Sequence, residues 1–328
     1  MNDLVSVIIP VYNGEKYIKK CIESILKEKI DDLEIIVIND SSTDSTLKLL
    51  KEYKDRIIIK NNKKNCGVSY SRNYGLSIAT GEYVMFVDSD DYLPDGSIKY
   101  LYDLIKKNKA DVVCGSRENN KEIKTYYFNK NDINDIKNKM LTSSNYIFNL
   151  ANLGFATCKL YKRSILKDIF FEEKIRFRED TLFNIKVYDK CNKIICSTRK
   201  CYCYKLNENS ASFKFFEEYI NEIDHFFRIL EDYLNKGIIN EKSIEICSLY
   251  MYMNYLKHFA CCSRLSRNYI DKIYETFNQE IWKKYFYKIR YSDINFKYKI
   301  LLFSYKNRYK YIIYLLFKIN EVLKHEKK

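Results

Sequence analysis

Histidine is nearly missing. His225, His258 and His325 are the only three in 328 residues, and none lies near the end of an expected strand. That argues against zinc, haem and a Ser-His-Asp triad. Proline occurs twice and glycine eight times. Both prolines (Pro10, Pro94) and six glycines (14, 67, 75, 81, 96, 115) fall in the first 115 residues, so tight turns concentrate there. The eleven cysteines include no Cys-x-x-Cys pair. Cys201 and Cys203 are two apart and Cys261 and Cys262 adjacent, and neither is a zinc-ligand spacing. They read as reduced thiols of a cytosolic protein, many of them buried. The N-terminus, Met-Asn-Asp-Leu-Val-Ser-Val-Ile-Ile-Pro, has no basic region and no cleavage site, and reads as a strand rather than a signal peptide. A long apolar run is also absent. The longest late one, Tyr311 to Phe317, is too short to cross a bilayer.

What is present suffices for a core. The chain is 46% hydrophobic and 16% aromatic, which excludes wholesale disorder. Its length suggests two domains, or one large domain with an appendage. The first part alternates strands and helices. Strands are expected at Val5 to Ile9, Glu34 to Ile38, Ile57 to Ile59, Tyr83 to Val87 and Asp111 to Cys114. Helices are expected where Tyr17, Ile18, Cys21, Ile22, Ile25 and Leu26 share a face, from a cap among residues 41–44 to Tyr53, over 68–79, and over Ser97 to Lys107. Alternation of this kind implies an α/β fold with a mostly parallel sheet covered on both faces. From about 116 to 213 the periodicity weakens. From about 214 on, Phe215 to Leu234 and Ile244 to Phe259 read as amphipathic helices.

Sheets of this class bind ligands beyond the carboxyl ends of their strands. Three segments fall there: Pro10-Val-Tyr-Asn-Gly14, Asn39-Asp-Ser-Ser-Thr-Asp44 and Asp88-Ser-Asp-Asp91. The last concentrates three carboxylates in a chain of net charge +14. Unpaired like charges raise one another's pKa, and a divalent cation removes the conflict. Oxygen donors suit Mg²⁺ or Mn²⁺, hard ions that also take phosphate oxygens. The alternative is a solvated turn whose aspartates cap the next helix. Asp40 is either an acceptor for a base or ribose donor or part of an Asx turn. Arg72 is either a fixed cation in the helix after Gly67 or a surface charge.

Together these pieces carry a resemblance. Ser6-Val-Ile-Ile-Pro-Val-Tyr-Asn13 with Glu15, Val37 to Asp44, Asn65 to Gly75, Gly81 to Asp91, Lys159-Leu-Tyr-Lys162 and Arg178-Glu-Asp-Thr-Leu182 resemble, in order and spacing, a family 2 glycosyltransferase of GT-A fold over about residues 4 to 213. The resemblance implies a nucleotide-diphosphate sugar as donor, with UDP the usual nucleotide. It implies that Pro10, Val11, Tyr12, Asn13, Glu15 and Asp40 frame the nucleoside, and that Arg72, Asp88 and Ser89 help hold the nucleotide. Asp88 and Asp90 would hold Mn²⁺ or Mg²⁺ on the diphosphate, with Asp91 as an additional ligand. Asp180 corresponds to the catalytic base; by itself, Glu179-Asp180 reads only as acids at a helix N-terminus. Two departures stand out. Ser41-Ser42 replaces a common glycine, and Lys205 stands where the family has an arginine, so the resemblance leaves a diphosphate-gripping role for Lys205 or Ser210 open.

The implied organisation is 1–213 as the GT-A domain, with 1–115 the nucleotide-sugar half and 116–213 the acceptor half. Residues 214–328 form a helical, basic and aromatic region facing a membrane or the acceptor. Residues 283–310 hold nine Lys or Arg, one acid and nine interleaved aromatics. That pattern suits an anionic membrane surface; nucleic acid and a solvated helical face are the alternatives. The expectation is a metal-dependent inverting transferase building surface polysaccharide on a glycan or lipid-linked acceptor, peripheral on the cytoplasmic face of the membrane, with no nucleic acid partner. Nucleotidyl transfer on a similar sheet, or a nucleic-acid-binding module, are the competitors.

Overall fold

The structure is a computed structural model that describes residues 4–28, 30, 32–142, 151–205, 219–263 and 267–316. Ser210, His325 and the expected boundary at 213/214 lie outside the described residues, as do the side chains of His258, Cys261, Cys262 and Lys297. The chain divides into two compact units, Met1–Asn207 and Glu208–Lys328.

The first unit is an eight-stranded sheet. Its strands are β1 (Val5–Val11), β2 (Leu33–Asn39), β3 (Ile58–Asn61), β4 (Tyr83–Phe86), β5 (Val112–Ser116), β6 (Thr125–Phe128), β7 (Lys159–Lys162) and β8 (Ile194–Lys200). Its helices are α1 (Ile18–Leu26), α2 (Thr46–Lys51), α3 (Val68–Ile78), α4 (Ser97–Asn108), α5 (Lys130–Thr142), α6 (Ala151–Gly154) and α7 (Glu179–Lys190). The spatial order is β3-β2-β1-β4-β7-β5-β8-β6. All seven residues of β1 are buried, as a strand covered on both faces requires. The parallel pairs β1–β2 and β1–β4 align Val11 with Asn39 and Ile8 with Phe86, so the segments after all three strands open on one edge.

The sheet is more mixed than its first half implies. β7 inserts antiparallel to both β4 and β5, and β6 runs antiparallel to β8. The direction of β7 has a consequence for the site: Thr157, just before it, bridges to Phe86 at the end of β4. Behind that junction, Phe171 and Phe183 stack at 3.9 Å and Phe86 packs edge-on to both. This aromatic cluster fixes the start of α7 beside the end of β4.

The second unit is helical among the described residues: α8 (Tyr219–Asn235), α9 (Glu241–Ser263), α10 (Arg267–Thr276), α11 (Glu280–Phe286) and α12 (Phe296–Lys306). Tyr252 is its hub, with Trp282, Phe286 and Tyr305 packed edge-on at 5.1 to 5.4 Å. Tyr285, Phe286 and Tyr305, three aromatics of the basic segment, are therefore core. Tyr287, Tyr291, Phe296, Phe303 and Tyr309 are exposed. The charge of that segment is partly offset as well. Lys283, Lys284 and Lys288 pair with Glu280, Glu231 and Glu241, and Asp293 takes Lys242. No described helix is long and apolar enough to cross a membrane.

Candidate active site

The first edge of the site is a lacing of two loops. After β1 the chain turns at Asn13, in the left-handed region at φ 50°. Asn13 N donates to Ser42 Oγ, and Asn13 Oδ1 accepts from Thr43 N at 2.8 Å. Glu15 Oε2 accepts from Ser45 N, and Asp44 Oδ2 accepts from Glu15 N. Gly14 N donates to Thr46 Oγ1. A Cβ on Gly14 would stand 2.6 Å from Val11 Cγ2, so glycine lets this loop fold back tightly on the end of β1. Ser41 takes φ 61°, the conformation for which glycine is the easier residue. Asp44 Oδ1 accepts from Thr46 N, but the cap of α2 is Ser45, one residue past the choice expected among residues 41–44. Asn13 and Glu15 thus shape the rim, while the Tyr12 ring is half exposed above it.

Asp40 is buried, and protein donors already surround it. Its Oδ1 accepts from Asn62 Nδ2 and Cys66 N, and its Oδ2 from Gly67 N. Three charge-assisted bonds make it the anchor of the loop that leads into α3.

That loop aims Arg72, from α3, into the centre of the rim. The guanidinium is buried and meets three carboxylates. Nη2 lies 2.8 Å from Asp88 Oδ1, and Nη1 lies 2.7 Å from Asp180 Oδ1 and 3.3 Å from Glu179 Oε1. Its carbon sits 5.2 Å from the centre of the Phe171 ring, and its Nε is buried without a hydrogen-bond partner. The surrounding carboxylates raise its pKa, with Asp180 the strongest, and outweigh its burial. Asp180 Oδ2 also accepts from Ala156 N at 2.9 Å. Burial and the neighbouring Asp180 push Glu179 up to about 7, although Arg72 pulls it down. Asp88 and Asp180, far apart in sequence, therefore share one cation.

The acidic cluster is split by burial. Asp88 and Asp90 are half-buried at the rim, whereas Asp91 is 1% exposed. Asp91 Oδ1 accepts from Lys205 N, and burial and Asp88 push its carboxyl up to about 7. Asp91 is thus, unlike Asp88 and Asp90 at the rim, a buried carboxylate, and its Oδ2 has no hydrogen-bond partner among the described residues. Among the described residues no three His, Cys, Asp or Glu side chains are grouped to hold a metal. The Tyr202 hydroxyl accepts from Asp88 N at 3.1 Å, and Tyr92 and Cys203 exchange backbone hydrogen bonds. Segment 201–205 is thereby strapped to the acidic motif. Tyr202, Asn62 and Glu179 are site residues that sequence reasoning does not single out. Only Glu179 carries a signal, its place beside Asp180. A separate cavity of about 600 Å³, lined by residues such as Leu76, Thr80, Arg163 and Phe170, holds none of the expected site residues.

Known proteins resemble this chain in both sequence and fold. The family model described as glycosyl transferase family 2 matches residues 6–170. The "uncharacterized glycosyltransferase EpsJ" of Bacillus subtilis is 31% identical over 219 residues, 65% of this chain and 64% of that protein. Glycosyltransferase GlyA of Streptococcus pneumoniae is 31% identical over 236 residues, 68% of this chain and 33% of GlyA. The poly(ribitol-phosphate) beta-glucosyltransferase of Bacillus spizizenii is 30% identical over 267 residues, covering 78% of this chain and 40% of that enzyme. The chain thus spans less than two thirds of each of these relatives. Staphylococcus aureus TarS (residues 1–349), solved with UDP, superposes with TM-score 0.61 at 21% identity, over 97% of this chain and 91% of that one. That likeness establishes the shared fold.

Proposed function

The chain belongs to glycosyl transferase family 2, and from that premise we propose that it moves a sugar from a nucleotide-diphosphate sugar, UDP-linked, to a hydroxyl of a glycan or lipid-linked acceptor in surface polysaccharide synthesis, inverting the anomeric centre. The single observation that carries the reading is Arg72, which ties Asp88 at the end of β4 to Asp180 at the start of α7. TarS has been solved with UDP and with UDP-GlcNAc, and relatives are named as poly(ribitol-phosphate) transferases, which supports the donor and acceptor classes.

Asp180 is the base in this reading. Arg72 and the Ala156 N–H each hold one of its oxygens, which fixes the carboxylate beside an incoming hydroxyl. The hydroxyl oxygen attacks the anomeric carbon as Asp180 takes its proton, and the bond to the nucleoside diphosphate breaks on the opposite face. One base and one displacement invert the centre without a covalent enzyme intermediate. Two rim carboxylates support a hard cation in this reading: among the described residues Asp88 bonds Arg72 through Oδ1 only, Asp90 lies two residues on, and diphosphate and water oxygens would complete the shell. Mn²⁺ or Mg²⁺ bound there would neutralise charge on the leaving diphosphate.

Calorimetric titration with UDP tests this, in Mn²⁺ and then in EDTA, on wild type, Asp90→Asn and Asp180→Asn. The expected result is metal-dependent binding that Asp90→Asn loses and Asp180→Asn keeps, with sugar transfer abolished in both. Unchanged UDP affinity in Asp90→Asn removes the cation from Asp88 and Asp90.

We further propose that the helical unit rests on the cytoplasmic face of an anionic membrane. Its exposed Tyr287, Tyr291, Phe296, Phe303 and Tyr309 beside Arg290, Lys306 and Lys310 support this. Sedimentation with phosphatidylglycerol vesicles at low salt should capture the full chain and release it at high salt. Equal capture by phosphatidylcholine vesicles would sink the idea.

A further inference from the structure

We infer that Arg117, with the exposed rings of Phe155 and Tyr204, forms a subsite for an acceptor that carries a phosphodiester. This rests on the transferase reading above and narrows its acceptor class. Arg117 follows β5 directly. Its guanidinium lies 4.0 Å from the centre of the Phe155 ring, 5.2 Å from Tyr202 and 5.5 Å from Tyr204. Nη2 donates to Thr157 Oγ1, and Nε is buried without a hydrogen-bond partner. Among the described residues Arg117 makes no ion pair, in a site otherwise crowded with carboxylates.

Its position is set by both halves of the reaction centre. Phe155 and Thr157 flank Ala156, whose N–H holds Asp180 Oδ2. Tyr202, on the other side, braces Asp88 N. Arg117 therefore bridges the segment that fixes the base and the segment that fixes the acidic motif. An acceptor hydroxyl must come to that interval to reach Asp180. Phe155 and Tyr204 are 39% and 48% exposed, leaving aromatic surface on which the C–H face of a sugar or polyol can lie.

Charge chooses between acceptor classes. A guanidinium surrounded by rings has lost part of its hydration, and no carboxylate compensates it. A phosphodiester matches its fork and supplies the missing counter-charge. It also offsets the repulsion that Asp88 and Asp90 would exert on an anionic acceptor. A neutral glycan would leave the guanidinium uncompensated.

Poly(ribitol phosphate) and uncharged dextran serve as probes. Each is titrated, with UDP and Mn²⁺ present, into wild type, Arg117→Gln and Arg117→Lys, and UDP affinity and melting temperature are recorded for all three. The phosphate polymer should bind wild type. Arg117→Gln should weaken it about tenfold, the loss of a charge-assisted hydrogen bond. Arg117→Lys, which keeps charge without the fork, should fall between, and UDP affinity should hold within about twofold. Equal polymer binding in Arg117→Gln, equal affinity for dextran, or no polymer binding to folded wild type would each overturn the subsite. Arg117-dependent polymer binding in a protein that ignores UDP would uphold the subsite and remove the donor reading.

Discussion

Two arginines in the same unit meet opposite surroundings. Arg72 is buried among Asp88, Glu179 and Asp180. Arg117 is packed against Phe155, Tyr202 and Tyr204 and pairs with no carboxylate among the described residues. The two charges therefore act on different things. Arg72 is neutralised internally: it holds together carboxylates that would otherwise repel, so its first effect is on the architecture of the site. Arg117 keeps an uncompensated charge, so its first effect is on what arrives from outside.

Stability should separate the two residues most. Arg72→Met leaves three partly buried carboxylates without their shared cation. Removing one partner of a buried pair typically costs about 3–5 kcal/mol, on the order of 10 °C in melting temperature for a unit of this size. Arg117→Met keeps the apolar packing and gives up a cation–π contact worth about 1 kcal/mol. Thermal melts of the two variants at pH 7.5 are the check. Equal losses would mean that Arg117 is as structural as Arg72, and the contrast would collapse.

Much of this site is legible in sequence for a specific reason. Gly14, Asp40, Gly67 and Asp88 lie in the connections of the β1 to β4 region, with Pro10 near the end of β1 and Arg72 in the helix after Gly67, and a parallel sheet carries those strand ends to one edge. Less of the fold is legible after residue 116. Lys159-Leu-Tyr-Lys162 has the same pattern in either direction, and only pairing with β4 and β5 makes β7 antiparallel. Proximity in sequence groups Asp91 with Asp88 and Asp90. Its side chain turns inward because segment 201–205 offers it a backbone N–H, a partner 114 positions away. Tyr202 is invisible in sequence for the same reason. The basic segment misleads by composition: a count over 283–310 cannot see Glu231 or Glu241, which other helices bring to its lysines.

A finer contrast between the two arginines is their response to pH. Glu179 faces Asp180 and Arg72, with 14% of its side chain exposed, and is pushed up to about 7 from an ordinary value of 4.5. The folded state therefore binds a proton there that the unfolded chain has released, between about 4.5 and 7. Stability from this group is fully present below about 4.5 and is lost as pH rises through 7. A tenfold difference in proton affinity between the two states is worth about 1.4 kcal/mol. Glu179→Gln keeps an acceptor for Arg72 and never ionises. It should melt above wild type at pH 8.5, by a few degrees, and the gap should close toward pH 5. Arg117→Gln should show no such slope, because it leaves Glu179 and its neighbours Asp180 and Arg72 in place. If Glu179→Gln tracked wild type at every pH, Arg72 would already compensate all three carboxylates, and the carboxylate end of the rim would hold no proton at neutral pH.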